Sequence, residues 1–211
     1  MLSNRLDDEH EELRATVADF ARDVVAPVIG DFYERGEFPY EIVAKMGAMG
    51  LFGLPVAEEH GGMGGDYFAL CLALEELARV DSSVAITLEA GVSLGIMPIV
   101  RYGTEDQKRE WLPRLCAGEM LGAFGLTEPG GGSDVAGAMR TRARLVKGEG
   151  EAGGGPAGEG EWVIDGTKAF ITNSGTSITG VVAVAAVTGT RPDGKPEIST
   201  ILVPSGTPGF T

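Results

Sequence analysis

The amino-acid sequence predicts an α+β protein: an N-terminal all-α helical domain, then a small antiparallel β-barrel or sandwich domain. Three observations carry this. Apolar residues recur at helical spacing as far as about Cys116; after Gly118 they alternate or run continuously over short stretches; and Asp165-Gly166 and Pro192-Asp193-Gly194 separate those stretches as turns do. With 211 residues, 43% of them hydrophobic, the chain can bury a sizeable core. The expected division is 1–119 for the helical domain and 120–211 for the β-domain, the latter incomplete at its C-terminal end. No internal repeat is visible.

Leu6, Leu13, Val17, Phe20, Val24 and Val28 share one helical face, and Asp7, Asp8 and Glu9 complement the positive end of a helix dipole. One long helix is therefore expected first, and a shorter one over Tyr40 to Met49. Gly50 to Pro55 and Glu58 to Gly62 form an irregular, glycine-rich connection. Asp66 can cap a helix running to Arg79, and Ser82 or Ser83 can cap the next. That next helix holds the longest apolar stretch, Val84 to Val100. It is broken by Glu89, Gly91, Ser93, Gly95 and Pro98, so it is expected as a buried core helix ending before Gly103, with no membrane span. Thr104 and Gln107 stand at capping-box spacing and open a helix through Cys116.

In the second half, Arg140 to Leu145 alternates polar and apolar residues. Trp162-Val-Ile, the Asp165-Gly166 turn and Lys168 to Thr172 read as a tight hairpin. Val181 to Val187 suits a buried strand, and Ile198 to Val203 a strand after the second turn. Gly148 to Gly160 is too poor in apolar residues to offset its ordering entropy, so a flexible hairpin loop is expected there.

A formal net charge of −14 argues against a nucleic-acid partner, because phosphate neutralisation needs a basic surface. An anionic ligand would have to be held locally, by glycine-loop amides or by Arg140, Arg142, Arg144 and Lys147; that cluster reads equally as a solvated strand face. Cys71 and Cys116 suit small buried hydrophobes in a reducing compartment. The acidic start lacks the pattern of a signal or transit peptide, so a cytoplasmic location is expected.

The stretch most dedicated to binding is LGAFGLTEPGGGSD, Leu121 to Asp134. Its glycines let the main chain lie against a ligand and aim N–H groups at phosphate or carbonyl oxygens. A glycine run alone is more often an ordinary turn. Joined to Asp165-Gly-Thr-Lys-Ala-Phe-Ile-Thr-Asn173 it is far more specific, and the pair resembles the signature of the acyl-CoA dehydrogenases, flavoenzymes that oxidise the α–β bond of acyl-CoA thioesters.

The resemblance implies an N-terminal helical domain, a β-domain and a C-terminal four-helix domain, the last missing from this chain. It implies FAD as cofactor, acyl-CoA as substrate, an electron-transfer flavoprotein as electron acceptor and a homo-oligomer when full length. By resemblance, Phe124, Gly125, Leu126, Thr127, Gly132 and Ser133 lie along the flavin and its phosphates, and Ser133 also meets the acyl-CoA. Phe170, Ile171 and Thr172 form a second wall. Many relatives carry Trp at the position of Phe170 and Ala at that of Gly131; Phe keeps an aromatic face but loses an N–H donor. Glu128, between Thr127 and Pro129, suits a turn more than a catalytic base, and the family takes its base from the third domain, beyond Thr211. A non-catalytic flavin- or CoA-ester-binding module partnering another chain is the alternative, and a flavin monooxygenase or oxidase a third reading.

Three weaker signals point elsewhere. Gly189 to Lys195 fits a phosphate-loop spacing but meets Pro196 where Ser or Thr is needed, so it reads as a strand-connecting turn. His10 and His60 lack partners at metal-ligand spacing and are expected at the surface, with no metal. Glu89 reads either as a half-buried carboxylate paired with an Arg or as a polar group at the floor of an acyl pocket.

Overall fold

The computed structural model describes residues 6–146 and 160–211. Lys147 and all but the last residue of the loop expected at Gly148 to Gly160 lie outside them.

Asp7 starts the first helix, α1 (Asp8–Phe20), by accepting the His10 amide at 2.9 Å. A π turn follows at Ala21–Val25, and then α2 (Ile29–Arg35). The single helix expected through Val28 is thus two. Pro27 is the reason, because it has no N–H to give and its ring crowds the carbonyl four residues back.

Helix α3 (Tyr40–Ala48) and α4 (Tyr67–Ala78) follow, with Asp66 capping α4 through the Ala69 amide at 2.8 Å. The cap of α5 (Ser82–Glu89) is Asp81, which accepts from Val84 at 2.8 Å; the expected Ser82 and Ser83 sit one and two positions too late and occupy the first turn. After α5 the helix widens into a π segment, Ala90–Ile96, and resumes as α6 (Met97–Tyr102). The run Ser82–Tyr102 is long and apolar enough to cross a membrane, and 61% of its most apolar window is buried in the fold. Val84, Leu88, Val92 and Ile96 pack there with Met46, Phe52, Leu77 and Leu112. The capping box opens α7 (Glu105–Cys116) as expected: Thr104 Oγ1 accepts from the Gln107 amide at 3.3 Å, and Gln107 Oε1 from the Thr104 amide at 2.9 Å.

Cys116 is buried and its thiol is pushed up to about 11 by desolvation. Cys71 is exposed, contrary to expectation: α4 buries Leu70, Leu72, Ala73 and Leu77, which leaves Cys71 and Glu75 on the opposite stripe.

The second half holds β1 (Leu121–Gly125), the one-turn helix α8 (Val135–Ala138), β2 (Arg142–Val146), β3 (Glu161–Asp165), β4 (Thr179–Thr190) and β5 (Pro196–Pro204). They form an open mixed sheet. Strand β4 is central: β1 runs parallel to its first half, β2 meets it in parallel at Arg142 and Val187, and β5 pairs antiparallel along its other edge. Strands β2 and β3 form an antiparallel pair. The expected antiparallel barrel or sandwich is therefore corrected to an unclosed sheet with two parallel pairings. Alternation and turn residues locate strands; they do not name partners far away in sequence.

The strand expected at Lys168 to Thr172 is also absent. Phe170 and Asn173 take φ of 59° and 68°, which no extended strand allows, and β3 already pairs with β2.

One contact sets the sheet against the helices. A Cβ on Gly95, in the π segment, would lie 2.7 Å from the Cα of Gly122, and one on Gly122 would lie 2.7 Å from the Cα of Gly95. Only a glycine pair lets β1 and the core helix approach main chain to main chain.

Candidate functional site

Strand β1 delivers the chain to Leu126 and Thr127, where Glu128 and Gly131 exchange main-chain hydrogen bonds at 3.1 and 3.0 Å. Pro129 holds the first central position of this turn, where its fixed φ is wanted. Asp134 then caps α8 by accepting from the Gly137 amide at 3.0 Å. The N–H groups of Gly130, inside the turn, and of Gly132 and Ser133, between turn and cap, find no main-chain acceptor among the described residues, and all three residues are exposed. Donors left free on an exposed glycine loop form a ready cradle for phosphate or carbonyl oxygens.

The second predicted segment is stitched to this loop. The Ala169 amide donates to Thr127 O at 2.9 Å, and Lys168 Nζ donates to Leu126 O at 3.1 Å and to Glu128 Oε1 at 2.9 Å. The lysine stem crosses Gly125, where a Cβ would lie 3.3 Å from Lys168 Cγ. Phe170 follows, 94% exposed and in the left-handed region that bulky residues avoid. Phe170 is thus a strained, uncovered aromatic one residue beyond the hydrogen bond that joins the two segments.

The predicted residues divide by environment. Gly132, Ser133, Phe170 and Thr172 are exposed, and Thr127 is half-buried behind them. Phe124 and Leu126 pack with Met139, Ala185 and Val187 on one face of the sheet, and Ile171 packs with Ala123, Val182, Val184 and Val203 on the other, so these three are half-buried in two separate clusters. Gly125 is buried at the crossing with Lys168.

Glu128 does more than make a turn. Its carboxylate accepts from the Arg140 amide at 2.7 Å, the Thr141 amide at 2.9 Å and Lys168, with only 7% of the residue exposed. Burial works to raise its pKa, but hydrogen bonds from Thr141, Lys168 and Arg140 outweigh it and hold the group at about 2. A carboxylate held so acidic, with both oxygens engaged, is a weak base.

Asn173, which sequence reasoning left out of the site, anchors the far end of the second segment. Its Nδ2 donates to Thr87 O of α5 at 3.0 Å, and its main-chain carbonyl accepts from Thr179 Oγ1 at 2.7 Å. The signal for Glu128, Lys168 and Asn173 is an acid, a base and an amide within the two motif segments.

The weaker candidates fall into place. Gly189 to Lys195 joins β4 to β5 as a turn, with Gly194 N bonded to Arg191 O at 2.9 Å. With Ala136, Gly137 and Ile198, Arg191 and Lys195 line an open cavity of about 560 Å³ that none of the predicted cofactor residues reaches. Arg140, Arg142 and Arg144 are exposed, as either reading of that cluster requires. His10 is not a plain surface residue: it lies 2.7 Å from Asp7 and 3.5 Å from Asp66, joining the caps of α1 and α4. His60 is likewise only partly exposed, 3.8 Å from Glu59. Glu89 is half-buried at the end of α5, but the arginine partner expected for it is absent among the described residues.

Comparison with known proteins agrees with this architecture. The profile of the acyl-CoA dehydrogenase N-terminal domain matches residues 7–119, and that of the acyl-CoA dehydrogenase middle domain matches residues 123–211. A probable acyl-CoA dehydrogenase of Bacillus subtilis, YngJ, is 43% identical over 98% of this chain and 50% of its own length. Butyryl-CoA dehydrogenase from Megasphaera elsdenii superposes with a TM-score of 0.86 at 35% identity, over 100% of this chain and 52% of that one. An acyl-CoA dehydrogenase from Bacillus anthracis, solved in complex with FAD, gives 0.83 at 35% identity, over 100% of this chain and 34% of that one. The chain spans about half the length of the curated relatives it matches. Two matched domains in order, on a fold shared along the whole chain, establish that it belongs to the acyl-CoA dehydrogenase family.

Proposed function

We propose that this chain forms the flavin-facing half of an FAD-dependent acyl-CoA dehydrogenase, which removes hydrogen across the α–β bond of an acyl-CoA and passes the electrons to an electron-transfer flavoprotein. Bound FAD supplies the hydride acceptor, N5, that no side chain can provide. The chain's own residues bind and orient. The free amides of Gly130, Gly132 and Ser133 face anionic or carbonyl oxygens, and the Thr127 hydroxyl stands at the inner end of the same loop. Phe170 offers an aromatic wall with Thr172 beside it, and Ser133 lies where the thioester substrate meets the cofactor. The base for the α-proton comes from outside these residues, since Glu128, the one acid within the loop's turn, is spent on holding it together.

The observation that carries this reading is Phe170: an aromatic ring 94% exposed on a left-handed backbone, in a segment hydrogen-bonded to the glycine loop through Ala169. The test is an anaerobic titration of the purified full-length protein, loaded with FAD, with acyl-CoAs of increasing chain length. Bleaching of the flavin band supports the dehydrogenase; flavin binding without bleaching by any acyl-CoA favours the non-catalytic module; and rapid oxygen consumption favours an oxidase.

A further inference from the structure

We infer that the buried Glu128–Lys168 pair is a positioning device: it sets the left-handed turn at Phe170 against the end of β1, and the way FAD is held depends on it. The inference rests on the reading of Phe124–Ser133 and Phe170–Thr172 as flavin contacts.

The side chains of Glu128 and Lys168 are 7% and 11% exposed, and their charges meet at 2.9 Å. The contact spans 40 residues of sequence and is one of three stitches between the same two segments, with Lys168 to Leu126 O and Ala169 N to Thr127 O. Phe170 comes next. Its ring touches so little that nothing in its own side chain holds its backbone at φ 59°. The flanks must do so. Downstream, Asn173 is tied to Thr87 and Thr179; upstream, the hold is the Lys168–Glu128 pair and the Ala169 hydrogen bond. Glu128 is in turn fixed by the Arg140 and Thr141 amides at the entrance to β2, so the wall takes its place from the sheet.

A buried ion pair that serves only the fold can be exchanged for an apolar pair of similar shape with little loss, whereas removing one partner leaves an uncompensated charge. A positioning pair is not replaceable in that way, because charge and hydrogen bonds together fix the register of Phe170. The distinction gives the experiment.

The parent protein, Glu128→Gln, Lys168→Met and the double variant Glu128→Leu/Lys168→Met are compared by melting temperature without FAD, FAD affinity, the visible circular dichroism of bound flavin, and hydrogen exchange at the Ala169 amide. Each single variant is expected to weaken FAD binding by about tenfold or more and to speed Ala169 exchange by a similar factor. The double variant is expected to recover the part of the melting temperature lost to the uncompensated charge, but not the part lost with the Arg140 and Thr141 hydrogen bonds, while keeping the weakened binding and an altered flavin dichroism. A double variant that binds FAD within about twofold of the parent, with the same dichroism, overturns the inference and leaves the flavin reading standing. Unchanged Ala169 exchange in the single variants overturns it without recourse to FAD. A parent protein that takes up no FAD overturns the flavin reading, and the inference falls with it.

Discussion

Replacing Phe170 with glycine is expected to move stability and ligand binding in opposite directions. At φ 59° a side chain with a Cβ costs about 1–2 kcal/mol, which glycine does not incur. Glycine loses about 0.5–1 kcal/mol through the greater freedom of its unfolded chain. Little else changes, because a ring that is 94% exposed has few contacts to lose. The balance is about 0 to 1.5 kcal/mol in favour of the variant; at ~2–4 °C per kcal/mol for a chain of this size, the melting temperature without FAD rises by up to about 6 °C. Binding goes the other way. A phenylalanine ring covered by the flavin contributes about 1.5–3 kcal/mol, so its loss weakens FAD binding by about 10- to 150-fold. Thermal unfolding of the FAD-free protein and a flavin-fluorescence titration give the two numbers. A variant less stable than the parent by more than about 1 kcal/mol would show that the ring packs in the free fold. An unchanged dissociation constant would show that it faces no flavin.

Three other predictions follow from the packing and the charges. Gly122→Ala places a methyl 2.7 Å from the Cα of Gly95 and 3.1 Å from its carbonyl carbon, so the urea midpoint should fall by the equivalent of about 1–3 kcal/mol; an unchanged midpoint would mean the two elements do not meet as described. Partial desolvation works to lower the pKa of His10, but its hydrogen bonds to Asp7 and Asp66 raise it above 6.5. Its contribution to stability is therefore complete below pH 6.5 and lost as pH rises through the folded-state value; the stability gap between parent and His10→Gln should shrink with increasing pH, and a gap independent of pH refutes the bridge between the caps. Glu128, held at about 2 against an ordinary 4.5, stabilises the fold above pH 4.5 and loses that contribution as pH falls toward 2. Acid unfolding of Glu128→Gln should accordingly begin from a lower stability and be less steep across that interval, and curves of equal slope would contradict the assignment.

Local chemistry was legible in the sequence and long-range pairing was not. The Thr104–Gln107 box, the Asp66 cap and the turn at Gly194 act within a few residues, so their spacing is their geometry. The break at Pro27 follows the same local rule and is visible in hindsight. Asp165-Gly166 before an apolar run looked like a hairpin because the alternation continues across it. What bends Lys168 to Asn173 out of a strand lies elsewhere: Glu128 and Thr127 on one side, Thr87 on the other. The parallel neighbours of β4 escape for the same reason, since β1 and β2 reach it only through irregular crossings. At the site, motif residues named the two segments; Glu128, Lys168 and Asn173, whose partners are 6 to 86 residues away, supply the hold between them. Cys71 shows the limit of composition, because an apolar neighbourhood in sequence does not say which stripe of a helix turns inward.

The central claim is that the loop Phe124–Ser133 and the segment Lys168–Thr172 together hold FAD. Titrating the protein with FAD while following its main-chain amide resonances tests this most directly. Shifts are expected to concentrate at Gly130, Gly132, Ser133, Phe170 and Thr172, with the core helix amides from Val84 to Leu88 unmoved. Shifts gathered instead around Arg191 to Ile198, or none at all with FAD in excess, would contradict it.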